Sequence, residues 1–167
     1  MQNLIKFRFL NFAFFILTLA FVLSSCTRLE NAKETAVIKD TILSYNKLLV
    51  EAAKTGDVGP LKGILIQKER EKLYFWIASW HDSHVYMDGK LENIKFNNIT
   101  LSGNTAEVAT SEDWIYEYKD LKTGQSVQPA SEIYYDMEYH LLKKDNTWII
   151  NEIKVKSEKQ KEEKGNK

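Results

Sequence analysis

Hydrophobic positions recur along this chain at two spacings, and the change from one to the other divides it. From Glu34 to Thr55 they fall three or four residues apart: Ile38, Ile42, Tyr45 and Leu49 on one face, with Val37, Leu48 and Ala52 beside them. That spacing predicts an amphipathic helix. Gly56 is placed to cap its C-terminus, and Asp57 to Pro60 reads as a turn, with Pro60 at the start of the next helical segment. A second helix is expected to reach about Trp80, with a break near Gly63. Either Leu73, Ile77 and Trp80 or their neighbours Tyr74, Phe75 and Trp76 would form its apolar face. Polar residues mark loops around His81 to Ser83 and Asp88 to Lys90.

From Ile94 onward the period becomes two, the signature of strands with one face on a core. Ile94 to Leu101 reads as the first strand, turning at Ser102-Gly103-Asn104. Thr105 to Tyr118 is the second. Ala106, Val108, Trp114, Tyr116 and Tyr118 share one of its faces with Thr110 and Glu112. Asp120 to Gly124 forms a hairpin turn. Val127 resumes the ladder, and Pro129 marks an edge or bulge, because proline cannot donate to it. The closing hairpin places Ile133, Tyr135, Met137, Tyr139 and Leu141 on one side, and Asp136, Glu138 and His140 on the other. Lys143 to Asn146 turns it, and Trp148-Ile149-Ile150 opens a return strand ending at Val155. Two helices followed by antiparallel strands predict an α+β fold, helices on one face of a strongly curved sheet.

The first 26 residues follow neither pattern. Lys6 and Arg8 precede an apolar run, Phe12 to Val22, that is too short to span a bilayer, which takes about 20 apolar residues. It ends in Leu23-Ser24-Ser25-Cys26, which resembles the lipobox of bacterial lipoproteins. By that resemblance residues 1–25 are a signal peptide and Cys26 is diacylated on sulfur. Two or three acyl chains would then hold the protein stably where one would not. Cys26 is the only cysteine, so no intramolecular disulfide is available. Thr27 is not the Asp that favours inner-membrane retention. The expected address is therefore the outer membrane of a two-membrane cell, or the outer face of a single membrane.

About 140 residues follow Cys26, enough for one domain. The expected division is a tether over residues 26–33, a domain over 34–156 and a charged, solvated tail over 157–167. Basic and acidic residues number 23 each; without Lys6 and Arg8 the basic count is 21. No basic stripe survives, which argues against nucleic acid as a partner.

The order of helix, helix and bent meander, closed by Tyr139-His-Leu-Leu, Lys-Lys-Asp-Asn and Trp148-Ile-Ile-Asn-Glu-Ile, resembles the NTF2-like (cystatin-like cone) superfamily. Within it the likeness is to the intermembrane-space domain first described in chloroplast-division proteins and found also in bacterial lipoproteins. Gly56-Asp57 with Pro60-Leu61-Lys62, Ala106-Glu-Val, Glu112-Asp-Trp-Ile-Tyr116, Asp120 and Thr123-Gly124 carry it, over about Glu34 to Val155. The resemblance implies a concave sheet face and helices around a pocket. Ketosteroid isomerases and polyketide cyclases of that superfamily use the pocket for catalysis; other members only bind ligands or pair through the sheet.

Enzymes of this kind need a carboxylate or His base and a Tyr or acid donor facing the pocket. Glu112, in register with Trp114 and Tyr116, is the best candidate for an inward carboxylate, with Tyr116 as donor. The structural alternative is a rim residue paired with Lys or Arg. Asp136 and His140 lie opposite Tyr135 and Tyr139, and only one pair can face inward. Trp76, Trp114, Tyr116, Tyr135 and Tyr139 would wall a pocket if one exists; otherwise they fill the core, as aromatics commonly do. His81-x-x-His84 with Asp88 lacks a third metal ligand at recognised spacing and reads as a polar helix end. The sequon at Asn98-Ile99-Thr100 is discounted for an exported bacterial protein. No cofactor or metal is expected. The leading expectation is a lipid-anchored, non-catalytic domain that binds an envelope protein or a small apolar ligand. An isomerase or cyclase is the rival, and a structural role with two copies pairing through the sheet is a third option.

Overall fold

The computed structural model describes residues 30–160. The expected signal peptide, the lipidation site Cys26, residues 27–29 and residues 161–167 lie outside them. The described residues fall into two units, 30–36 in the first and 37–160 in the second. Of the first, residues 30–36 are helical, so helical backbone includes residues 30–33, where a tether was expected. Ala32, Lys33 and Glu34 favour helix without adding to the apolar stripe that revealed it.

The second unit begins with α1 (residues 37–55), which buries Ile38, Ile42, Tyr45 and Ala52. It stops at Gly56, which takes φ +79° and donates its N–H to the Ala52 carbonyl at 2.8 Å, a left-handed helix cap. A 3-10 turn at Gly59–Gly63, with Pro60 inside it, buries Leu61. The next residues dock on the sheet: Ile150 donates to the Ile64 carbonyl and Ile66 to that of Ile150, making a parallel bridge at Leu65. α2 (Gln67–Asp82) follows, so the break expected near Gly63 is real and longer than one residue. Of its two possible faces, Ile77 is buried and Leu73 packs on the core, whereas Tyr74 and Phe75 are exposed and Trp76 is part-covered at the edge of the sheet's inner face.

Four strands form one antiparallel sheet in sequence order: β1 (Val85–Ser102), β2 (Thr105–Asp120), β3 (Ser126–Lys144) and β4 (Thr147–Gln160). Val108, Tyr139, Leu141, Trp148 and Ile150 on its inner face pack against Ile38, Ile42 and Tyr45 of α1. Two helices on a four-stranded antiparallel sheet make this the expected α+β arrangement. Among the described residues, no helix is long and apolar enough to cross a membrane.

Two expectations about strand ends need correction. Asp88 to Lys90 is strand rather than loop. β1 starts at Val85, with Met87 and Gly89 opposite Tyr118 and Tyr116 and with Asp88 paired to Lys119. The return strand also passes Val155: Ser157, Glu158, Lys159 and Gln160 pair with Asp136, Tyr135, Tyr134 and Ile133. Backbone pairing to a neighbouring strand sustains both stretches without an apolar alternation. Pro129 sits at a register shift, where β3 residues 129 and 130 bulge between the Tyr118–Gln128 and Tyr116–Ser131 pairs. Further bulges interrupt β1 at Leu91/Asn93 and Phe96/Asn98, and β4 opposite Asp136/Met137 and His140/Leu141. Each bends its strand and increases the twist.

Candidate functional site

Strand parity builds the site. On β2, Thr110, Glu112, Trp114 and Tyr116 point to the inner face; on β3, Tyr135, Met137 and Tyr139 meet them there. α1 crosses above with Tyr45, Asn46 and Leu49, and α2 contributes Trp76. Together with Val155 and Glu158 of β4 they line a half-open cleft of about 270 Å³. The five aromatic residues expected as pocket walls, Trp76, Trp114, Tyr116, Tyr135 and Tyr139, all border this cleft, as does Glu112. Trp114 and Tyr116 stack with ring centroids 5.4 Å apart, and Tyr135 meets Tyr116 edge-on at 6.3 Å.

Glu112 is 2 % exposed and sits at the cleft floor rather than at a rim with a basic partner. Three donors converge on it. Thr110 Oγ1 and Tyr139 Oη each donate to Oε1 at 2.7 Å, and Trp114 Nε1 donates to Oε2 at 2.9 Å. A carboxylate accepts about four hydrogen bonds, so roughly one position remains. Burial first, then the charge of Glu112, pushes the Tyr45 and Tyr139 hydroxyls well above the ordinary tyrosine range. Burial, then Tyr135 and Glu112, does the same to Tyr116. Tyr135 is pushed up to about 12 by burial, then by Glu158 and Tyr118, against a hydrogen bond from Tyr116. These hydroxyls therefore remain donors throughout the neutral range.

Asn46 was not singled out from sequence. Among the described residues its buried Nδ2 has no partner, and its Oδ1 lies 3.5 Å from a Tyr139 hydroxyl whose proton goes to Glu112. Such unsatisfied groups are rare and call for an explanation. The sequence signal was an Asn four residues after Ile42, inside the apolar stripe of α1. Glu158 lies in the charged run that reads as a tail, which hides it in the sequence. The β4 bulge opposite Asp136/Met137 turns it to the side of Tyr135.

The remaining candidates lie elsewhere. Asp136 and His140 occupy the outer face. Asp136 accepts from Ser111, Tyr134 and Ser157 at 2.7–2.9 Å, and these bonds, Ser157's foremost, hold its carboxyl below the usual range. Glu107, Glu138 and His140 bring potential ligand atoms within 4.8 Å of one another on that face, where Lys154 and Lys156 already reach Glu138. His81 donates Nε2–H to the Ala53 carbonyl at 2.9 Å and so ties α2 to α1. His84 takes a left-handed turn conformation, φ 59°.

No protein-family model and no curated protein matches this chain. Among solved structures, the intermembrane space region of the chloroplast protein ARC6 is similar, with a TM-score of 0.63 at 16 % identity, covering 72 % of this chain and 94 % of that one. An NTF-2 like protein of unknown function from Silicibacter pomeroyi DSS-3 aligns over 75 % of this chain and 98 % of its own, at 14 % identity and a TM-score of 0.42. At such identity the first likeness shows the fold.

Proposed function

We propose that this chain is a non-catalytic binding domain, lipid-anchored outside the cytoplasm through Cys26, whose aromatic cleft takes a small, largely apolar ligand. The observation that carries the reading is the cleft itself: about 270 Å³, walled by aromatic rings, with few polar groups at its floor. That is the make-up of a small-molecule site slightly below the usual size of ~300–1,000 Å³. The anchor rests on Leu23-Ser24-Ser25-Cys26 after an apolar run.

The rival isomerase or cyclase reading draws on the same inward carboxylate, Glu112 as base with Tyr116 as donor. Against it stand the three donors already on Glu112, which leave little room for a substrate proton. A partner protein is the other occupant to consider, because Phe75 is 70 % exposed beside the cleft residue Trp76.

The test is calorimetric titration of the full-length chain, held in a non-ionic amphipol, with toluene as an apolar probe. Saturable binding that Trp76→Ala weakens by about tenfold or more, and Phe75→Ala leaves unchanged, supports the cleft as the site. No saturable binding ends the small-ligand reading and leaves the partner reading in its place. For the anchor, cells fed an alkyne-tagged palmitate should label the wild-type protein but not Cys26→Ser.

A further inference from the structure

Resting on the reading of the cleft as a ligand site, we infer that it selects a small organic cation, a quaternary or protonated amine carried on an apolar body. Among the described residues, two carboxylates line the cleft, Glu112 at the floor and Glu158 at the rim, and no Lys, Arg or His does. Buried acidic groups are almost always paired, and removing a carboxylate from water without a counter-charge is expensive. The three partners of Glu112 are neutral donors: a threonine, a tyrosine and a tryptophan. They satisfy its hydrogen bonds and bring no positive charge.

The walls fit the same ligand. Rings of Tyr45, Trp76, Trp114, Tyr116 and Tyr135 surround the cleft. Tyr135 stands at 73° to Tyr116, and Tyr116 lies 6° from parallel with Trp114, so π-faces and edges meet at a corner. The negative face of an aromatic ring attracts ammonium groups, and cages of such rings recognise quaternary amines. A neutral ligand would leave buried Glu112 without a counter-charge, and an anion would be repelled by both carboxylates.

β4 also keeps its own cations out. The bulge at Lys156 places Glu158 on the inner side, while Lys154 and Lys156 pair with Glu152 and Glu138 on the outer face. Burial first raises the tyrosine hydroxyls around the cleft, and a carboxylate adds to each: Glu112 for Tyr45, Tyr116 and Tyr139, Glu158 for Tyr118 and Tyr135.

The test compares phenyltrimethylammonium with its uncharged isostere tert-butylbenzene, titrated calorimetrically into the full-length chain in a non-ionic amphipol. The cation should bind at least about tenfold tighter. Glu112→Gln should weaken cation binding about tenfold and leave the isostere within about twofold. Glu158→Gln, at an exposed position, should weaken the cation roughly twofold to threefold, an effect that fades in high salt. If Glu112→Gln does not fold, the Glu158→Gln result decides. Equal binding of cation and isostere overturns the cation preference but keeps the cleft as a ligand site. Cation binding that neither glutamine variant changes also overturns it. If neither probe binds, the ligand-site reading fails with it.

Discussion

Removing one hydroxyl from the cleft floor tests how Glu112 is held. Tyr139→Phe deletes the Oη that donates to Glu112 Oε1 at 2.7 Å, in a residue with no solvent exposure. The ring stays, so no cavity opens and the transfer term of a truncation is absent. The contact of Tyr139 with Asn46 at 3.5 Å is too long to count as a second loss. What disappears is one hydrogen bond to a charged group, worth about 1.5–3 kcal/mol. Thr110 and Trp114 still hold the carboxylate, which favours a value near 2 kcal/mol on that scale. For a domain of this size about 3–6 °C accompanies each kcal/mol, so Tm should fall by roughly 6–12 °C. Urea unfolding followed by tryptophan fluorescence should show a lower midpoint with unchanged slope. Tyr134→Phe is the control, since it loses a hydroxyl bond to Asp136 on the outer face, where Ser111 and Ser157 remain. A Tyr139→Phe loss under about 0.5 kcal/mol, or one no larger than that of Tyr134→Phe, would refute the account of the floor.

Three further outcomes are expected. Gly56→Ala should cost about 1–2 kcal/mol in urea, because a non-glycine residue is strained at φ +79° and its Cβ would sit 3.1 Å from the His81 ring that bonds Ala53. Gly89→Ala puts a Cβ 3.1 Å from the Tyr116 ring, which borders open cleft and can give way; stability should change by under about 1 kcal/mol, while affinity for any cleft ligand changes several-fold by titration. The Asp136 carboxyl is held low in the folded state, so its contribution is present above the unfolded value near 3.9 and is lost as pH falls through the folded value. Asp136→Asn should therefore flatten the loss of stability below about pH 4 in an acid-unfolding series, leaving a shallower slope than wild type.

The legible parts of this fold were those where packing and pattern coincide. β2 places Ala106, Val108, Thr110, Glu112 and Trp114 on one buried face, and the alternation showed it. The closing hairpin was equally plain, because Tyr139 and Leu141 are buried and Asp145 and Asn146 take the left-handed turn. The face of α2 was ambiguous because aromatic residues lie on both sides of it, and only the sheet decides which side is covered. The first half of β1 was hidden by Asp88, Gly89 and Lys90, which pair through backbone and the Asp88–Lys119 ion pair rather than through apolar side chains. The β1 and β4 bulges were hidden as well, unlike the one at Pro129: each shifts parity by one, so Glu158 changes sides with no mark in the sequence. The aromatic walls of the cleft could be read as residue types at inward positions. Its polar floor could not, since the convergence on Glu112 needs β2 and β3 in known register.

The outer-face cluster on Asp136 bears on strand register as well as on acid stability. Ser111 on β2, Tyr134 on β3 and Ser157 on β4 all bond that one carboxylate, so three strands are stitched at a single level. Because side chains alternate, a slip of one residue between β2 and β3 would carry Glu112 to solvent and Ser111 into the core. In the slipped arrangement Asp136 would lose Ser111, and Asp113 would follow Ser111 toward the apolar rings. The Ser111–Asp136 bond thus favours the native β2–β3 pairing, so a contact on the side of the sheet that takes no part in the cleft helps keep the cleft residues facing one another.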